Sequence, residues 1–111
     1  MKSLINSAMI PGDGLYNYKT INRGQFMVKL QGWHNSESGF TSYIGYPDTA
    51  AYVEKITGGV PVMVNRSKFT MSPGDVALVV KLNYRVPAPG DKGKFVPGDN
   101  DWEYGILRRV E

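Results

Sequence analysis

Residues 76–80 read Val76-Ala77-Leu78-Val79-Val80. Side chains alternate between the two faces of a strand, so a run that is apolar on both faces has to be covered on both. That is the signature of a central strand sandwiched inside a domain, since a strand with one wet face alternates apolar with polar. In a chain of 111 residues there is room for one hydrophobic core and a handful of elements around such a strand. The expected architecture is therefore a single α/β domain over residues 1–111, a mixed central β-sheet flanked by short helices.

Turn chemistry divides the rest of the chain. Four Pro-Gly-Asp triplets stand at Pro11-Gly12-Asp13, Pro73-Gly74-Asp75, Pro89-Gly90-Asp91 and Pro97-Gly98-Asp99, and Pro followed by Gly suits the two centres of a type II turn. The segments between them share no period, so they mark chain reversals and not a repeat. The first closes an expected strand at 3–10, and a second strand or extended arm is expected over Leu15–Ile21. Asn22 suits the cap of a helix over 23–31 with Phe26, Met27 and Leu30 on one stripe and Gly32 as its stop, leaving His34 in a polar loop. A short strand over Phe40–Ile44 runs through Gly45 into a second helix. Pro47 suits that helix's first turn, Ala50, Val53 and Ile56 form its inner stripe, and Gly58-Gly59 end it. Val60–Val64 reads as a further strand, Val76–Val86 as the longest one, 87–101 as a mobile loop with three prolines and three glycines, and Tyr104–Val110 as a last strand joining late or at an edge.

Composition limits the function classes. No cysteine occurs, which removes disulfides, thiolate metal sites and a cysteine nucleophile and fits a reducing compartment. The N-terminal apolar stretch is interrupted by Asn6 and Ser7 and is too short for a signal or membrane segment, so the expected location is the cytoplasm, without membrane contact. A net charge of +3 is mild for a protein that neutralises a nucleic-acid backbone, and suits a small anionic ligand better than a long polyanion. Metalloprotease, phosphate-loop and nucleophile-elbow motifs are absent, and the single His34 lies beside Trp33 without neighbouring ligands, so neither a metal nor a cofactor is expected.

Three places can carry chemistry. Past Val80 the strand reads Lys81-Leu82-Asn83-Tyr84-Arg85, and alternation sets Lys81, Asn83 and Arg85 on one face. Lys81 and Arg85 stand roughly 13 Å apart at about 3.3 Å per residue, a span that suits separate phosphates. The same residues also describe a strand simply leaving the core for water. The junction Gly45-Tyr46-Pro47-Asp48-Thr49 can offer backbone N–H groups and the Thr49 hydroxyl to an anion, although Pro47 removes a donor and Asp48 repels negative charge, as in a plain helix start. Asn6 and Ser7, polar within an apolar strand, must bond to backbone or face a ligand.

Taken in order, Leu4-Ile5-Asn6-Ser7-Ala8-Met9, Ser42-Tyr43-Ile44-Gly45-Tyr46-Pro47-Asp48-Thr49-Ala50, Val64-Asn65-Arg66, Gly74-Asp75-Val76-Ala77-Leu78-Val79 and Arg85 resemble the small family of viral anti-CRISPR ring nucleases. The resemblance implies a homodimer whose interface cradles a cyclic oligoadenylate, the second messenger of type III CRISPR defence. It implies ligand-binding roles for Asn6, Thr49, Arg66 and Lys81 and catalytic positions at Tyr46 and Arg85, to which the strand positions of Ser7, beside Asn6, and Asn83, on the face of Lys81, add two further candidate ligand-binding residues. The family's catalytic acid is a histidine where this chain has Tyr46, and its glutamate after the arginine is missing from Arg85-Val86-Pro87-Ala88-Pro89. A phenol ordinarily holds its proton to about pH 10 and is a poorer acid than imidazolium. The expectation is an anti-defence protein that removes a cyclic nucleotide by sequestration, or by slow metal-independent cleavage in which Arg85 and Lys81 position and stabilise the phosphodiester. Two alternatives stand beside it: an active nuclease using Tyr46 or His34, and a module that binds a host protein.

Overall fold

The computed structural model describes residues 1–6, 12–82 and 101–111. In chain order the elements are β1 (Lys2–Ile5), β2 (Tyr16–Ile21), α1 (Arg23–Asn35), β3 (Thr41–Ser42), α2 (Pro47–Ile56), β4 (Val76–Leu82) and β5 (Trp102–Arg109). They form one mixed sheet in the order β2-β5-β4-β1-β3. β1 pairs in parallel with β3 and β4, while β5 is antiparallel to both β4 and β2. Four strands therefore point one way, with β5 alone reversed.

The apolar run sits where two-sided burial requires. Ala77, Leu78, Val79 and Val80 are wholly buried, with Leu78 and Val80 facing Leu4, Phe26, Leu30, Ile44, Val53, Tyr104 and Ile106 under the helices. Ala77 and Val79 face the other way, into a smaller cluster with Ile5, Leu107 and Met71 that Phe69, Tyr16 and Tyr43 flank. Full burial of such a valine or leucine is worth about 1.5–3 kcal/mol, so this strand anchors both layers. The Ser72–Asp75 reversal bears out its triplet: Gly74 has φ 91°, the left-handed value that the third position of a type II turn needs, and the Asp75 N–H donates to the Ser72 carbonyl at 2.9 Å.

The helices depart from expectation at one end. Asn22 caps α1 in a reciprocal box with Gln25, at 2.8 and 3.0 Å. The helix runs on through Gly32 to Asn35, so His34 is helical and not in a loop. Gly32 is exposed and costs about 1 kcal/mol in a helix interior. Neighbouring contacts offset that cost: Gln31 donates to the Thr57 carbonyl and Trp33 packs against the core. α2 ends as expected, Gly59 donating to Glu54 and Gly58 to Lys55 in a Schellman pattern with positive φ at both glycines.

Three strand expectations are corrected. Residues 60–64 form no strand and make a single β-bridge, Ile44 with Val64, among the described residues. Val60 and Val62 are still buried in alternation, but β3 offers only two residues to pair with and Pro61 has no N–H to donate. β5 does not lie at an edge: it fills the place between β2 and β4, because its stretch Tyr104–Leu107 is buried and has to be flanked on both sides. The first strand is shorter than 3–10, ending at Ile5 within the described residues. The ends expected beyond Leu82 and most of the expected loop over 87–101 lie outside them.

Candidate functional site

Because β1, β2, β3 and β4 share one direction, their carboxyl ends meet at one rim of the sheet. Asn6 follows β1 there, Asn22 opens α1 after β2, Gly45 and Tyr46 lead from β3 into α2, and Lys81 lies near the end of β4 beside the start of β5. Ligands of open α/β sheets bind in the crevice outside this edge, where helix N-termini and loop side chains converge.

The outer part of the rim is built around the β3–α2 junction. Ser42 Oγ donates to the Met63 carbonyl at 2.6 Å, Asn65 Nδ2 donates to the Ser42 carbonyl at 2.9 Å, and the Asn65 N–H donates to the Ile44 carbonyl at 2.9 Å. These bonds lash the 63–66 segment alongside the junction and bring Arg66 over Gly45, whose carbonyl accepts from Arg66 Nε at 2.8 Å. A methyl group at Gly45 would stand 3.7 Å from the Arg66 side chain, so the guanidinium stem lies against the turn. Among the described residues no hydrogen bond takes its two terminal nitrogens, which leaves the fork able to meet an outside carboxylate or phosphate.

Tyr46 is the N-cap residue of α2; its backbone is extended and its side chain makes no cap bond. The ring is 62% exposed. Beneath it the first-turn N–H groups of Asp48 and Thr49 have no partner within the helix, and the helix dipole favours an anion at that end. Thr49 itself is buried in that turn, and Asn6 is half-buried. Strand spacing of about 4.8 Å puts β4, two strands from β3, roughly 10 Å across the rim from this junction.

Lys81 is not free. Its cross-strand partner is Glu103, and Lys81 Nζ stands 3.5 Å from Glu103 Oε2. The Tyr18 hydroxyl donates to that same oxygen at 2.8 Å. Burial foremost, then the hydrogen bond and charge of Glu103, push the Tyr18 phenol well above its ordinary range, so it stays a donor at any physiological pH. Glu103 and Tyr18 were invisible to sequence reasoning that began the last strand at Tyr104. Extending its alternation two residues back sets Glu103 on one face, but only the β4–β5 register makes it the partner of Lys81.

Of the expected site residues, Asn6, Tyr46, Thr49, Arg66 and Lys81 occur along this rim, while Ser7, Asn83 and Arg85 lie outside the described residues. His34 does not join them. α1 starts at the rim and runs back about 20 Å at 1.5 Å per residue, and Trp33 beside it meets Lys2, at the start of β1, with the ammonium 5.9 Å from the ring centre. Among the described residues no group of three or more His, Cys, Asp or Glu could hold a metal ion, and no helix is long and apolar enough to cross a membrane.

The family model described as STIV B116-like matches residues 2–95. Among solved structures, B116 of Sulfolobus turreted icosahedral virus superposes with a TM-score of 0.75 at 17% identity, covering 97% of this chain and 98% of that one. At that identity the likeness is one of fold. No curated protein matches the sequence.

Proposed function

This chain belongs to the STIV B116-like family, whose description comes from a viral protein, and on that premise we propose that it is an anti-defence protein that binds a cyclic nucleotide second messenger at its rim, between two copies of the chain. The observation that carries the proposal is Arg66. Its Nε is spent on the Gly45 carbonyl, so its fork is held in place next to the uncapped start of α2 and the open ring of Tyr46. A fixed cation, a helix N-terminus and an exposed aromatic face together suit a ligand made of phosphodiesters and purine bases.

Retention is the more natural outcome of this chemistry than turnover. Tyr46 stands where the ring nucleases that the sequence resembles carry their acid, and a phenol there offers a stacking surface more readily than a proton. Slow cleavage without metal remains chemically accessible, because holding a ribose hydroxyl in line with its own phosphate lowers the barrier without an acid.

The test is to incubate the protein with cyclic di-, tri- and tetranucleotides in the absence of metal, remove the protein by denaturation and separate the nucleotides by chromatography. Intact ligand depleted from solution and recovered on denaturation supports sequestration, and linear product supports cleavage. Arg66→Ala is expected to weaken either by about tenfold or more. Depletion of no compound refutes the proposal and leaves a host protein as the ligand to seek.

A further inference from the structure

We infer that Asn65 is the positioning residue of the rim: without touching a ligand, its amide holds Arg66 where the guanidinium meets an anion, and so sets how tightly that anion is held. This rests on reading the rim as an anion site and adds to it the residue that presents its cation.

β3 has two residues, yet its outer edge carries acceptors that have to be met. The Tyr43 N–H donates inward to the Leu4 carbonyl of β1 at 2.8 Å, so by alternation the carbonyls of Ser42 and Ile44 point outward. In a longer ladder two residues of a further strand would fill them with their N–H groups. Here one residue fills both, Asn65 donating its backbone N–H to Ile44 and its Nδ2 to Ser42, each at 2.9 Å. The side chain stands in for a strand residue, which lets the backbone leave the sheet at once.

The other end of the same amide fixes how it leaves. Asn65 Oδ1 accepts the Ser67 N–H at 3.0 Å, an Asx turn with Arg66 as its middle residue. The chain on both sides of Arg66 is thus tied to Asn65, and Nε ties the side chain to the Gly45 carbonyl at 2.8 Å. Asn65 is half-buried with both ends of its amide engaged within the protein, whereas Arg66 beside it is exposed. Ordering a long, exposed side chain at the moment of binding weakens affinity, and here the turn and the Gly45 bond impose that order before an anion arrives.

The test reads Arg66 itself. In the full chain labelled with nitrogen-15 at arginine, with the Arg66 Nε–H signal identified by Arg66→Lys, hydrogen exchange reports the bond to Gly45 and a titration with inorganic phosphate reports the anion. Asn65→Ala is expected to speed exchange of that Nε–H by about tenfold. It is expected to weaken phosphate at Arg66 by about three- to tenfold, the effect of one long side chain left to be ordered on binding. In an Arg66→Ala background the same change should weaken phosphate no further, because Asn65 acts through Arg66. Asn65→Ser keeps an acceptor for the Ser67 N–H and lacks a donor for the Ser42 carbonyl, so it gives the same readings at smaller amplitude if the alanine variant does not fold. Exchange and phosphate affinity that stay at the parent's values in every variant that folds overturn the inference. So does a further loss in the Arg66→Ala background, or phosphate that leaves the Arg66 signal unmoved. If phosphate behaves as expected but no cyclic oligonucleotide binds, the proposed function falls and the positioning role stands. If a cyclic oligonucleotide binds Asn65→Ala as well as it binds the parent, the positioning role falls and the proposed function stands.

Discussion

Replacing Gly105 by alanine tests how Tyr18 is held. A Cβ at Gly105 would come within 2.5 Å of Tyr18 Cζ, closer than real contacts allow, while the strand backbone of Gly105 itself suits alanine. The ring must therefore swing away, and two terms are lost with it. The hydrogen bond to the Glu103 carboxylate contributes about 1 kcal/mol once its partial exposure is discounted. Packing of the ring on the sheet contributes about 1 kcal/mol more. Alanine in place of glycine in a strand returns about 0.5–1 kcal/mol. The net expectation is a loss of about 1–1.5 kcal/mol, seen in urea denaturation as a lower midpoint at constant slope and in thermal denaturation as a fall of roughly 5–10 °C. Removing the ring first reverses the sign, because in a Tyr18→Ala background Gly105→Ala no longer meets the tyrosine ring and should stabilise by about 0.5–1 kcal/mol. The coupling between the two sites is then about 2 kcal/mol. Additive effects in the four-protein cycle would refute the claim that this glycine exists to seat this tyrosine.

Other expectations follow from single contacts. Leu78→Ala, at a wholly buried place in the central strand, should cost about 2–5 kcal/mol in urea denaturation. Asn22→Ala removes one arm of the capping box and should cost about 1 kcal/mol, while Asn22→Asp should keep most of it. Asp75 accepts the Ser72 N–H at 2.8 Å and the Met1 ammonium at 2.9 Å, and these bonds, the backbone one foremost, with Arg109 nearby, hold its carboxyl below the ordinary carboxylate range. A depressed carboxyl stabilises the fold above its unfolded pKa of about 4 and loses that contribution as pH falls through the folded value. Stability measured from pH 5 to pH 2 should thus decline less steeply in Asp75→Asn than in the parent, and an equal decline would remove Asp75 from the account.

Much of the fold was legible because it rests on local chemistry. The double-faced run at 76–80 implied a covered central strand, Asn22 and Gly58-Gly59 marked helix ends, and Pro73-Gly74 marked a reversal, each by rules acting within a few residues. What misled was also local: Gly32 looked like a stop and Val60–Val64 like a strand, since the contacts of Trp33 with the core and the brevity of β3 appear only after folding. The candidate site divides along the same line. Tyr46, Thr49 and Arg66 could be named from short sequence blocks, whereas no spacing between Tyr18, Lys81 and Glu103 announces that they share one oxygen. That meeting depends on β5 entering between β2 and β4 in a particular register, and a shift by one residue would turn Glu103 to the other face. The sequence by itself determined which segments could be strands or helices and which side chains could bind an anion. Strand order and register, which set distances between residues as far apart in the chain as Tyr18 and Glu103, came from the burial of the whole sheet, a property no local stretch possesses.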